Sequence, residues 1–169
     1  MVRAPAFPAH CRADTPTMAN HLFDLVRLYG TEPAKTFIET EDGTVFTYDD
    51  LFAATGRFAN ALVASGVKPG DRVAVQVEKS PGAIFLYLAC VRAGAVFLPL
   101  NTGYTLTEIE YFLSDAEPSL VVCDPSRREG IAEVAARTGV PAVETLGRGK
   151  DGSLWNKANS QQPVFDTVS

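Results

Sequence analysis

The sequence predicts an α/β domain built on a mostly parallel sheet. Two observations carry that expectation. From Val73 onward, short apolar runs alternate with helical apolar stripes in the order strand, helix, strand, helix, strand, helix, strand, the pattern of a sheet whose crossovers are helices. Glycine or proline also stands at most of the junctions, where a periodic segment has to end.

Taken in order, Asn20 to Tyr29 carries Leu22, Phe23, Leu25, Val26 and Leu28 at helical spacing. Thr36 to Thr40 and Thr44 to Phe46 are short β-like runs around Asp42-Gly43, a strong hairpin signal. Thr47 then reads as an N-cap, with Asp49 and Asp50 in the first turn where the helix dipole favours acids. Leu51, Phe52, Phe58, Leu62 and Val63 form the apolar stripe of that helix, and Gly66 ends it. Pro69-Gly70 turns the chain into a strand over Val73 to Val77.

Ser80-Pro81 opens a helix with a hydroxyl cap and a proline where its missing N–H costs little. This helix is apolar nearly all round from Ile84 to Val91 and is expected deep in the core, with Gly94 as its stop. Ala95 to Leu100 is continuously apolar, which predicts a strand buried on both faces. Thr105-Leu106-Thr107-Glu108 reads as a capping box before Ile109, Phe112 and Leu113. Leu120 to Cys123 is a further buried strand. Ser126-Arg127-Arg128-Glu129 reads as a second capping box, leading into Ile131, Val134 and Ala135, and Gly139 closes that helix. Pro141 to Leu146 is the last β-like run. From Gly147 the pattern fails, and the remainder is expected to be loop or disorder.

Composition narrows the function classes. Of the 169 residues, 46% are hydrophobic and 21% charged, an ordinary globular balance, and the net charge of -5 argues against a nucleic-acid surface. No apolar run approaches the roughly 20 residues that span a bilayer. The three cysteines, Cys11, Cys90 and Cys123, share no close spacing; the sequence predicts reduced thiols in a cytosolic setting and no metal site. Residues 1–17 hold three prolines, Arg3 and Arg12 but no acid before Asp14. The arginines suit a mitochondrial transit peptide, but the prolines oppose an amphipathic helix, so the stretch reads as a disordered extension.

No motif in the residues assigns chemistry. Gly147-Arg148-Gly149-Lys150 has the wrong glycine spacing for a phosphate loop, and Asp151 follows the lysine where a Ser or Thr is needed; it reads as a flexible turn. The strand-to-helix turns at Glu78-Lys79-Ser80, Asn101-Thr102-Gly103 and Asp124-Pro125-Ser126 lack the three glycines of a dinucleotide fingerprint. His10 and His21 have no Ser, Cys or acid constellation nearby and read as incidental surface residues.

Three blocks resemble the adenylate-forming enzymes, which include acyl-CoA synthetases, luciferases and peptide-synthetase adenylation domains. They are Phe46-Thr47-Tyr48-Asp49-Asp50-Leu51, Gly66-Val67-Lys68-Pro69-Gly70-Asp71-Arg72-Val73-Ala74-Val75, and the run from Leu86 to Asn101. A finer likeness to the malonyl-CoA synthetases lies in Val77-Glu78-Lys79-Ser80-Pro81, in Leu98 to Leu106, in Ser114-Asp115-Ala116-Glu117-Pro118 and in Val121 to Ser126. Most relatives place a proline where Leu100 stands. The resemblance runs from about Ala19 to Leu154.

The resemblance implies the incomplete N-terminal part of the large domain of an adenylate-forming ligase, with residues 18–154 as a partial AMP-binding domain and 155–169 as a divergent, disordered tail. It implies a parent activity in which malonate attacks the α-phosphate of magnesium-bound ATP, and coenzyme A then displaces AMP. The family's Ser/Thr/Gly-rich phosphate loop, Thr-Glu pair, ribose-binding aspartate and C-terminal lysine have no counterpart in this sequence. No catalytic, cofactor-binding or metal-binding residue is therefore assigned, and ATP, magnesium and coenzyme A are expected to bind poorly. The implied partners are a small carboxylate substrate in the parent and the rest of the ligase as a pairing surface, with no nucleic acid and no membrane. The alternatives are an acyl-CoA synthetase for another carboxylate, or a non-catalytic interaction fragment.

Overall fold

A computed structural model describes residues 20–168. The extension read at residues 1–17, with His10 and Cys11, lies outside the described residues.

The chain opens with α1 (His21–Tyr29), capped by Asn20, whose side chain accepts from the Phe23 N–H. β1 (Thr36–Glu39) and β2 (Val45–Thr47) form an antiparallel hairpin of their own. Its turn is tied by the Asp42 carboxylate, which accepts from Thr40 and Thr44; those bonds hold Asp42 down at about 2. α2 (Tyr48–Ala64) begins in a full capping box in which Thr47 and Asp50 satisfy each other's backbone N–H.

Four strands make the main sheet: β3 (Arg72–Gln76), β4 (Val96–Pro99), β5 (Leu120–Cys123) and β6 (Val143–Thr145). They lie in the order β4-β3-β5-β6 and every pairing is parallel. The crossovers are α3 (Pro81–Arg92), α4 (Leu106–Ala116) and α5 (Arg128–Thr138). α6 (Ser153–Asn159) follows β6.

Alternation along the strands divides the interior into two cores. Val73, Val75, Leu120 and Val122 point to one face and pack with Leu51, Phe58 and Leu62 of α2, Phe85, Leu86 and Ala89 of α3, and Leu154 and Ala158 of α6. Ala74, Val121 and Cys123 point to the other and pack with Ile109 and Leu113 of α4 and Ile131, Val134 and Ala135 of α5.

Four expectations are corrected. β4 is an edge strand, not a strand buried on both faces. Val96 N–H donates to the Asp71 carbonyl and Leu100 N–H to the Val75 carbonyl, so Phe97 and Pro99 turn their backbone outward, where a proline's missing donor costs nothing. A continuous apolar run marks low polarity, and it does not say on how many sides the strand is paired. α3 likewise is not apolar core all round: Phe85, Leu86, Leu88, Ala89 and Cys90 are buried, while Ile84 and Tyr87 face outward.

The second capping box does not form. Asp124 accepts from the Ser126 N–H and starts a 3₁₀ turn (Pro125–Arg127), and α5 begins at Arg128 with no side-chain cap. An Asx turn two residues upstream, fixed by Pro125, takes the role read for Ser126. Finally, residues from Gly147 onward are not loose. α6 buries Leu154 and Ala158, and residues 160–168 are pinned along α2 and α3. Asn60 Nδ2 donates to the carbonyls of Gln162 and Val164, both at 2.9 Å, and Val168 N–H donates to the Arg92 carbonyl at 2.8 Å.

Candidate functional site

Open parallel sheets present ligands with the loops beyond the carboxyl ends of their strands. Here those loops are 77–80 after β3, 100–105 after β4, 124–127 after β5 and 146–152 after β6. They form two adjoining groups.

The first lies on the α4/α5 side. Gln76, the last residue of β3, is fully buried, and its Nε2 donates to the Asn101 carbonyl at 2.7 Å. Asn101 Oδ1 in turn accepts from the Gly103 N–H at 2.8 Å. Arg127 clamps the same loop from β5's end, its Nη1 on the Thr102 carbonyl at 3.0 Å and its Nη2 on the Tyr104 carbonyl at 2.9 Å. Two carbonyls held by one guanidinium make the 101–104 loop rigid. Gln76 Oε1 remains without a hydrogen-bond donor in this burial.

The second is a cleft of about 680 Å³ beside the α3 N-terminus, between the β1–β2 hairpin and the loop after β6. Ser80 caps α3, its Oγ accepting from the Ala83 N–H at 3.1 Å. Lys79, Arg148 and Lys150 line the cleft, and Glu39, Glu41 and Asp42 stand on the hairpin side. Among the described residues, none of these cations has a carboxylate within 4.0 Å. Lys150 Nζ sits 4.8 Å from the centre of the Phe46 ring instead. The cleft holds as many acids as bases, so charge alone gives it no preference for an anion.

The Gly147–Lys150 segment is a defined turn. Gly147 N–H donates to the Asp151 carbonyl and Gly149 N–H to Asp151 Oδ1, both at 3.0 Å. It is brought opposite Lys79 and Ser80, a neighbourhood that spacing along the sequence did not reveal. Gln76, Asn101 and Arg127 were likewise not singled out. Their positions at predicted strand ends were the available signal.

The described residues offer no nucleophile–base pair in these loops. The two described thiols are poor nucleophiles: burial pushes Cys90 up to about 12 and Cys123 up to about 11, with Asp124 adding to the latter. Asp50 and Glu108 spend their carboxylates on capping boxes, whose backbone and hydroxyl donors lower both from the usual range. No group of three or more His, Cys, Asp or Glu among the described residues could hold a metal ion, and no helix of theirs is long and apolar enough to cross a membrane. His21 is exposed at the start of α1.

A family model described as AMP-binding enzyme matches residues 26–166, and so reaches well into the tail that the sequence reading set outside the family pattern. Among solved structures, ATP-bound MatB from Rhodopseudomonas palustris superimposes with a TM-score of 0.85 at 52% identity, over 89% of this chain and 30% of that one. A benzoate CoA ligase from Burkholderia xenovorans superimposes at 0.74 with 22% identity, a likeness of fold alone, over 87% of this chain and 29% of that one. Among curated proteins, the feruloyl-CoA synthase of an Amycolatopsis species is 40% identical over 94 residues, covering 56% of this chain and 19% of the relative. The acetyl-coenzyme A synthetase of a Marinomonas species is 39% identical over 93 residues, covering 54% and 14%. The chain thus spans about a fifth or less of these curated relatives' length and under a third of the solved ones'.

Proposed function

Because the chain belongs to the family of AMP-binding enzymes, we propose that it supplies the first part of the large domain of an acid–CoA ligase, with malonate as the acid. The activity of the whole would be acid, ATP and coenzyme A to acyl-CoA, AMP and diphosphate. A carboxylate is a poor acyl donor, and joining it to the α-phosphate turns it into a good one, with diphosphate as the leaving group. Thiol attack on the acyl carbon then expels AMP.

The observation that carries the malonate reading is the 52% identity to MatB, a malonyl-CoA synthetase, over nine-tenths of the chain. It extends the motifs at 77–81, 98–106, 114–118 and 121–126. Kinship to feruloyl- and acetyl-CoA synthetases supports the coarser reading of an acid–CoA ligase.

This chain's own residues contribute the sheet, the Arg127-clamped loop 101–104 and the cleft at Lys79–Ser80. Among the described residues, no group of three or more His, Cys, Asp or Glu could hold the magnesium ion. Catalysis in such a ligase rests on positioning and on electrostatic stabilisation of developing charge, and removing one such stabiliser typically costs about a hundred- to a thousandfold in rate.

The test is turnover. The chain alone, given malonate, ATP, magnesium and coenzyme A, is expected to make no malonyl-CoA above a mock purification. Coexpressed with the complementary 70% of MatB, it is expected to restore malonate-dependent AMP formation, with acetate and ferulate poorer substrates. Turnover by the chain alone would overturn the part-domain reading, and a complemented enzyme preferring acetate or ferulate would overturn the malonate assignment.

A further inference from the structure

α1 and residues 162–168 stand at opposite ends of the described chain, yet the same two side chains hold both. Asn20 caps α1 with its Oδ1, and its Nδ2 donates to the Val91 carbonyl at 2.7 Å and to the Val168 carbonyl at 3.4 Å, across 148 positions of sequence. Arg92 is shared in the same way. Its Nη2 donates to the Phe165 carbonyl, and its own carbonyl accepts from the Val168 N–H. Its Cζ lies 4.6 Å from the centre of the Phe23 ring in α1 and 5.8 Å from that of Phe165.

Apart from these joints each segment is lightly held. α1 buries Phe23 and half-buries Val26 against the core, and leaves Leu22, Leu25, Leu28 and Tyr29 from 43% to 75% exposed. Residues 162–168 are held by their main chain. Asn60 supplies two further bonds, to the carbonyls of Gln162 and Val164, while the Val164 side chain is 76% exposed. Neither segment adds a strand to the four-stranded sheet. Peripheral segments of this kind open at a lower free energy than a core does.

Opening one segment strips the other of its holders. When residues 165–168 leave, Asn20 loses an acceptor, and Arg92 loses both the Phe165 carbonyl and the Phe165 ring. The guanidinium is then free to turn toward water and away from Phe23. When α1 leaves, Asn20 goes with it and Phe23 no longer covers Arg92. The second departure costs less than the first, which is the coupling expected of residues in one contact network.

We propose that α1 and residues 162–168 are one conformational unit, a two-piece flap latched by Asn20 and Arg92, which detaches from α2 and α3 as a whole while the four-stranded sheet stays folded. Such coupling is reciprocal. A contact made on the exposed side of α1 is felt at Val168, and a pull on residues 162–168 is felt in α1. The flap is a property of the fold, independent of the ligase reading.

Native-state hydrogen exchange of the full chain, read by NMR at single amides, tests it. Without substitution, the amides of Leu25 to Leu28 and that of Val168 are expected to share one protection factor, lower than that of Val73 to Val75 and Leu120 to Val122 in the sheet. Two substitutions then press on one piece each. Asn60→Ala removes two bonds to residues 162–168 and leaves the contacts of Asn20 and Arg92 in place. It should speed exchange about tenfold at Val168 and equally over Leu25 to Leu28. Leu25→Gly weakens the α1 helix itself and should speed both about fivefold. Low urea gives the same test without a substitution, because α1 and Val168 should then show one common slope. Asn60→Ala that speeds Val168 while Leu25 to Leu28 keep their rates, Leu25→Gly that speeds α1 alone, or two different urea slopes would each overturn the proposal. So would one protection factor shared by α1, Val168 and the sheet, since nothing would then detach short of global unfolding.

Discussion

The chain fastens its last two segments with two cations drawn off the surface, and they are stabilised by opposite means. Lys157 of α6 meets the carboxylate of Glu144 on β6, which Ser153 also contacts; Ser65 at the end of α2 accepts from Lys157 at 2.8 Å. Arg92, at the end of α3, has no carboxylate within 4.0 Å among the described residues. Its Nη1 donates to the Phe52 carbonyl at 3.1 Å and Thr55 Oγ1 at 3.0 Å, its Nη2 to the Phe165 carbonyl at 2.8 Å, and its Cζ lies over the Phe23 ring, 4.6 Å from the centre. A guanidinium is weakly hydrated and planar, so neutral carbonyls and a ring face suffice to hold it. An ammonium is a compact, strongly hydrated charge, and off the surface it requires a carboxylate.

The comparison breaks hardest at Arg92. Arg92→Met leaves the Phe52, Thr55 and Phe165 acceptors without their donor and loosens the tail around Phe165, leaving the Asn60 and Val168 bonds in place, and it should cost about 3 kcal/mol in urea unfolding. Arg92→Lys, which reaches fewer acceptors, should cost less but not nothing. Full retention of stability in the methionine variant would show that the tail is held elsewhere.

Gly56→Ala tests the same tail from α2. An alanine in mid-helix normally gains about 1 kcal/mol over glycine, but here its Cβ would fall 1.8 Å from the Pro163 carbonyl oxygen. Overpacking of that kind typically costs about 2 kcal/mol, so the substitution should destabilise, and tail cleavage by protease should accelerate. A stabilised variant would mean that residues 160–168 do not cross α2 there.

Lys157→Met strands a shielded carboxylate and should cost about 2 kcal/mol, much of it recovered in the double variant with Glu144→Leu. Calorimetry of the two variants reads the difference directly.

The smallest effect is that of pH. Burial by itself would raise Glu144, but the hydrogen bonds from Lys157 and Ser153 and the Lys157 charge outweigh it and hold the carboxyl below its ordinary range. A lowered acid contributes stability that is complete above the unfolded value, 4.5 for this group. That contribution is lost as pH falls from there through the folded value. Burial, with Arg27 adding, pulls Arg92 down to about 10, so it stays charged throughout that window. Emission from Trp155, the chain's one tryptophan, set edge-to-face with Phe58 at 5.3 Å, should therefore change on acidification before tail protection does. Simultaneous release would erase the distinction between the two clasps.

What the sequence determined by itself was local. The caps at Thr47, Ser80 and Thr105, the Asp42-Gly43 hairpin and the glycine stop at Gly94, where φ is +68°, each depend on residues within a few positions of one another. The parallel order of strands also follows from alternation, because a helix between two strands allows little else. Only the tertiary structure decided which strand lies at the edge, that Arg92 turns inward, and that a polar segment without periodicity docks along α2. α6 is seven residues long with Gly152 before it and no side-chain cap, so nothing local announces it. Its stability comes from Leu154 and Ala158 entering a core built by residues a hundred positions earlier, and from an ion pair whose halves stand thirteen residues apart. The candidate site has the same character: Gln76, Asn101 and Arg127 are distant in the chain and meet only because three parallel strands end on one side. Interactions within a turn of chain are written in the sequence, whereas those that depend on loop closure exist only once the sheet has brought their partners together.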